Sequence, residues 1–105
     1  MFLPEFGWFF SSLGPLFGHV GDGNFHALLL FDPTDPDEYG RCKELSLRMG
    51  RRAMAMGGTC TGEHGVGTGK RQLLAEQVGH AGVHALKAIK AALDPKGIMN
   101  PGKVV

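Results

Sequence analysis

Two short runs hold the side chains best suited to chemistry. Gly18-His-Val-Gly-Asp-Gly-Asn-Phe-His26 sets two imidazoles among glycines, and Gly62-Glu-His-Gly-Val-Gly-Thr-Gly-Lys70 carries a carboxylate, Glu63, beside a third imidazole, His64. His19, His26 and Glu63 form a recurrent donor set for zinc or manganese, in which three protein ligands leave positions open to substrate oxygens. An imidazole exchanges protons near neutral pH, so His64, next to Glu63 but not itself a ligand, suits a general base beside such a metal. The two histidines of the first run, taken alone, also fit a second account, in which they are satisfied structurally. Glu63-His64 weighs against it, because bare glycine backbone is a costly place for two ionisable side chains with no task.

The elements around these runs must bring the side chains together. Residues at positions 19 and 26 point to opposite faces of a regular strand, and Gly18, Gly21 and Gly23 argue against a helix. The chain must therefore bend, and a turn or bulge around Gly21–Asn24 would bring His19 and His26 to one side. Asp22 serves that turn; Asn24 either serves it too or presents its amide to a bound substrate. His26–Asp32 is a short apolar run expected to form a buried strand. Asp35 is placed to cap a helix whose first residue is Pro36. Tyr39, Cys42, Leu45, Met49, Ala53 and Met56 then repeat along one face, and Gly57-Gly58 closes the helix. Residues 59–69 read as a glycine-rich loop, with room for a short strand. A further helical stretch opens at Lys70 and runs to Val78. Val83, Leu86, Ile89 and Leu93 line a last helix stopped by Asp94-Pro95, and a turn-rich tail reaches Val105.

Rival uses of the glycines fit less well. A phosphate-binding P-loop needs glycine where His64 stands and Ser or Thr where Arg71 stands, and the dinucleotide fingerprint has Gln72 in place of its third glycine. Lys70 and Arg71 either receive a substrate carboxylate or open a helix. His80 and His84 have the spacing to clip a metal, but they lie beside Lys87 off the apolar stripe and read as solvated surface. Met49 and Met56 read as core.

Composition bounds the rest. At 105 residues the chain is one modest domain at most, with 43% apolar and 20% charged residues and 17 glycines, more than twice the usual share of about 7%. Eleven basic against ten acidic residues give a net charge of +1, so nucleic acid and anionic membrane are disfavoured as partners. Cys42 and Cys60 are too few for a disulfide scaffold. Residues 1–17 differ from the remainder. They hold five of the seven phenylalanines, the only tryptophan and no Lys or Arg, and Pro4, Glu5, Gly7, Gly14 and Pro15 interrupt any secretory or transmembrane pattern. This segment is expected either to pack on its own domain or to be a foreign start joined to a truncated one, with an apolar docking arm as the functional alternative.

The three runs Gly18–His26, Thr61–Arg71 and Leu93-Asp-Pro-Lys-Gly-Ile-Met-Asn-Pro-Gly-Lys103, in that order and spacing, closely resemble the C-terminal end of FAD-linked D-2-hydroxyacid dehydrogenases, nearest to the cytochrome-linked D-lactate enzymes. The resemblance covers 18–105. It implies an α+β fold, part of the C-terminal FAD-linked oxidase domain with antiparallel strands and helices, preceded by an unrelated segment at 1–17. It further implies that His19, His26 and Glu63 bind a divalent metal, that His64 is the catalytic base, and that Asn100 lies against the flavin. Small-molecule D-2-hydroxy acids would be oxidised to 2-oxo acids, with electrons passing to cytochrome c or a flavoprotein. A mitochondrial location follows by resemblance, while a start without a presequence leaves the cytoplasm open. Family members carry a large FAD-binding domain that this sequence does not show, so the expectation is a truncated form whose activity alone is in doubt. A metal-binding module without redox activity and a non-catalytic isoform are the alternatives.

Overall fold

The computed structural model describes residues 13–105, so residues 1–12 of the N-terminal segment lie outside the described part. The chain divides into two compact units, one ending at Ser46 and the other running from Leu47 to Val105.

The first unit is built on a hairpin. Strand β1 (Leu13–Phe17) pairs antiparallel with β2 (His26–Leu29), with Leu13 opposite Leu29, Leu16 opposite Ala27 and Phe17 opposite His26. The ladder is irregular between Leu13 and Leu16, where Pro15 has no N–H to donate. Residues 13–17, set apart with the N-terminal segment on composition, are thus one arm of this hairpin. The expected bend is present between the strands. His19 opens a single 3₁₀ turn (Val20–Asp22), its carbonyl accepting from the N–H of Asp22 at 2.9 Å and of Asn24 at 3.1 Å. Gly23 closes the turn at φ 68°, a left-handed conformation that glycine adopts freely. Strand β2 is shorter than the expected His26–Asp32, and Leu28 and Leu30 are exposed, because β1 is its one partner among the described residues.

Helix α1 (Pro36–Ala55) starts where local chemistry dictates. Asp32 Oδ1 accepts from the N–H and hydroxyl of Thr34, making the turn, and Asp35 Oδ1 accepts from the N–H of Asp37 and Glu38, capping the first helical turn. Cys42 and Leu45 bury the inner face in the first unit, and the Cys42 thiol points to the Leu30 carbonyl at 3.8 Å. Tyr39, expected on that face, is exposed and its ring tilts against Phe31. The helix ends as Gly57-Gly58 forecast. The N–H of Gly58 bonds the Ala53 carbonyl and that of Gly57 bonds Met54, the paired capping bonds of a left-handed glycine terminus. Met56 falls past the last turn and is exposed rather than core.

In the second unit the end of α1 meets helix α2 (Arg71–Leu93) around Leu73, the most buried residue described. Gly50 permits the approach: a Cβ there would lie 2.5 Å from Leu73 Cδ1. Arg51 then forks onto Glu76, Nε to Oε2 at 2.8 Å and Nη2 to Oε1 at 2.7 Å. Gly79 breaks α2 at φ 68°, ψ −178°, a conformation open essentially to glycine alone, so the two helical stretches read from the sequence meet there. Gly82 lets the second stretch approach Val78, whose Cβ would sit 2.6 Å from an added methyl group. Of the expected apolar stripe, Val83 and Leu86 are half-buried while Ile89 and Leu93 are exposed. The 59–70 loop contains no strand. Cys42 and Cys60 are both free and buried.

Candidate functional site

The hairpin positions the first group of candidates. Its two arms approach so closely at Gly18 (φ 154°) that a Cβ would fall 2.5 Å from the Asn24 carbonyl oxygen and 2.6 Å from Phe25 Cα. Glycine is required there, and it fixes His19 one residue into the turn. His19 is exposed and Asn24 half-buried. His26, half-buried at the start of β2, stacks its ring on Phe17 across the ladder, with centroids 5.0 Å apart and planes at 26°. That stack limits the tilt of the imidazole ring. Composition alone had placed Phe17 outside the domain; its position immediately before Gly18 and opposite His26 in a hairpin register is the signal that reveals its role.

The glycine loop positions the second group. Gln77 on α2 accepts through Oε1 from the Thr59 hydroxyl at 3.1 Å and the Cys60 N–H at 3.2 Å, anchoring the loop where it leaves α1. Thr61 donates its hydroxyl to the Gly65 carbonyl at 2.9 Å, closing a short ring around Glu63 and His64. Gly65 (φ 75°) and Gly67 (φ 53°) turn the chain through left-handed conformations, and Val104 returns to bond the Gly67 carbonyl at 2.8 Å. Glu63 and His64 are exposed neighbours, with Glu63 Oε1 3.6 Å from His64 Nε2.

Asn100 sits apart from that loop in sequence, on the tail after α2. It is exposed and left-handed at φ 46°, and its carboxamide bonds no described residue. The tail is tied down by Asp94, read from the sequence only as part of the helix stop, and by Lys90, which the sequence reading did not single out although an i,i+4 Lys–Asp pair at a helix end is a legible signal. Lys70 is the residue before α2, and Arg71 lines a shallow concavity with Lys87 while Nη1 donates to the Gly102 carbonyl at 3.4 Å.

Residues 13–104 match the family model for FAD linked oxidases, C-terminal domain. The chain belongs to that family. It is 58% identical over 92 residues to a probable mitochondrial D-lactate dehydrogenase of Danio rerio, covering 88% of this chain and 18% of the relative. It is 50% identical over 92 residues to D-lactate dehydrogenase [cytochrome] 1, mitochondrial, of Saccharomyces cerevisiae, covering 88% of this chain and 15% of that protein. A D-2-hydroxyglutarate dehydrogenase of Stutzerimonas stutzeri is 42% identical over 90 residues, covering 84% of the chain and 19% of the relative. The chain thus spans less than a fifth of the length of these relatives. The α+β class that the resemblance implies is the class observed, and no helix among the described residues is long and apolar enough to cross a membrane.

Proposed function

We propose that this chain carries the substrate-activating part of an FAD-dependent oxidation of a D-2-hydroxy acid, D-lactate foremost, to the 2-oxo acid. The observation that carries this reading is the family match across 13–104, which holds both histidine motifs and the Asn100 tail in order. When bound, a divalent metal polarises the substrate hydroxyl and FAD accepts hydride from C2. His19, His26 and Glu63 would hold the metal; two imidazole nitrogens and a carboxylate oxygen are chemistry that zinc and manganese both accept. The Phe17 stack on His26 supports this assignment by limiting the tilt of one ligand ring, and the Thr61–Gly65 bond shapes the loop that carries Glu63.

His64 would take the hydroxyl proton at an imidazole nitrogen. Asn24, beside the turn, offers its carboxamide to the substrate. Asn100 offers its carboxamide to the flavin, and its left-handed backbone and uncommitted side chain fit a contact held ready for a ligand. The bracketed acceptor in the yeast relative's name supports a cytochrome as the eventual electron acceptor, and the names of both D-lactate relatives support a mitochondrial place of work.

The test is a chimera in which residues 13–104 replace the matching segment of the zebrafish relative. D-lactate should bleach its flavin absorbance, and His64→Gln should slow reduction by about 10²- to 10⁴-fold, the usual contribution of a general base. Glu63→Gln should lower the content of tightly bound metal. A chimera that retains FAD yet is not reduced, or a His64→Gln form that turns over normally, would refute the assignment.

A further inference from the structure

Asp94 ends α2, and its carboxylate, with the side chain 7% exposed, is turned onto the residues that follow. Oδ1 accepts from the Ile98 N–H at 3.1 Å and Oδ2 from the Met99 N–H at 2.9 Å. Lys90, one helical turn earlier, donates Nζ both to Asp94 Oδ2 and to the Met99 carbonyl. Gly97 turns the chain at φ 64° and its N–H returns to the Asp94 carbonyl at 3.0 Å. Two side chains therefore bind the backbone of two consecutive residues, and the next residue is Asn100.

That residue needs such support. A non-glycine side chain in the left-handed region relaxes to an ordinary conformation unless its surroundings over-determine it, with asparagine the most tolerant type. The Lys103 N–H on the Asn100 carbonyl at 3.2 Å is the remaining restraint among the described residues, and it acts from the far side. The ammonium group also answers the charge of a carboxylate mostly withdrawn from water, which would be unfavourable alone. A neutral pair of similar shape could not do both.

We propose that Lys90 and Asp94 are positioning residues for Asn100, clamping residues 98–99 so that the Asn100 backbone stays left-handed and its carboxamide stays free for the cofactor. This rests on the flavin-facing role assigned to Asn100 above. Removing either side chain leaves Asn100 in place in the sequence but lets its backbone relax.

The first readout is nuclear magnetic resonance on the full chain, which needs no cofactor. In Lys90→Met and in Asp94→Asn, the Asn100 Cα and Cβ shifts should leave left-handed values, and the Ile98 and Met99 amides should exchange about tenfold faster for each bond lost. Amides of Arg71–Val78 should keep their wild-type shifts, which shows that the helix still folds. The second readout is the flavin absorption spectrum and reduction potential of the chimera. Lys90→Met should move both in the direction of Asn100→Ala, and the double variant should add nothing further. Unchanged Asn100 shifts in both single variants, or additive effects in the chimera, would overturn the clamp. Failure of the flavin reading looks different: Lys90→Met would loosen Asn100 as expected, while Asn100→Ala would leave the flavin spectrum and potential unmoved, and the purpose of the clamp would be overturned with it.

Discussion

Gly18 shows how much a single missing methyl group decides. Its backbone lies at φ 154°, and an added Cβ would meet two backbone atoms of the opposite arm at 2.5 and 2.6 Å. Backbone cannot swing aside as a side chain can, so the hairpin arms would have to part and His19 would leave its place. The φ strain alone is worth about 1–3 kcal/mol, a large fraction of what a small domain has to spare. Gly18→Ala should therefore lower the urea midpoint markedly and abolish the ring-current shifts of the Phe17–His26 stack. Gly21→Ala, in the same loop, should do neither, since nothing lies within 4 Å of its Cβ and its φ is not positive. Equal effects of the two substitutions would show that the close approach at Gly18 is not what holds the hairpin. At this scale the sequence was informative about reactive groups and poor on their supports. Histidine and glutamate among glycines announce themselves by type, whereas Phe17 and Thr61 act through partners across a hairpin and a loop that three-dimensional pairing reveals.

Elements were legible where their ends are written in local chemistry. Asp35-Pro36 and Gly57-Gly58 bracket α1 because capping involves neighbours in sequence, and the break at Gly79 follows from a conformation only glycine tolerates. What periodicity could not tell was the contact between helices. The Arg51 guanidinium bonded to Glu76 holds that carboxyl below its usual value of 4.5, with Gln72 adding a second donor. In the same way Lys90, with the Met99 and Ile98 amides, holds the Asp94 carboxyl below its usual 3.8. A carboxylate with a depressed pKa stabilises the fold fully above its unfolded value, and that contribution fades as pH falls through the lower, folded value. Glu76, with its side chain 35% exposed, sits close enough to solvent for screening to reduce its share. Thermal unfolding of the full chain, followed by circular dichroism, should be insensitive to pH from neutrality to about 5 and should weaken progressively below 4.5. Glu76→Gln should flatten part of that decline while lowering stability at neutral pH. A variant with the wild-type acid profile would mean that the fork contributes nothing to the pH dependence.

For the whole molecule, the ratio of buried to exposed apolar side chains is what remains to be explained. Among the described residues Cys42, Leu45, Cys60 and Leu73 are the buried hydrophobic ones, while Val20 and Leu93 are more than 80% exposed and Met56 and Ile98 more than 70%. The sequence stripe Val83, Leu86, Ile89, Leu93 identified an apolar face correctly as a pattern. A pattern says which side is oily and not what covers it, and the last two of those residues lie in solvent. On the hairpin Leu16, Phe17, Leu28 and Leu30 are likewise exposed. Soluble monomers rarely leave contiguous apolar patches beyond a few hundred Å² uncovered, since each Å² withdrawn from water is worth about 25 cal/mol. The full chain in solution should therefore bind the dye ANS under native conditions and sediment as larger species as its concentration rises. Leu93→Glu with Ile89→Lys, both on the outside of α2, should reduce dye binding and association with little change in the helical signal. Placing the same segment within the zebrafish relative should suppress the dye signal further, because there it would have over four-fifths of another protein to pack against. A chain that stays monomeric and dye-free at every concentration would mean that these faces are covered in solution by contacts the described residues do not make.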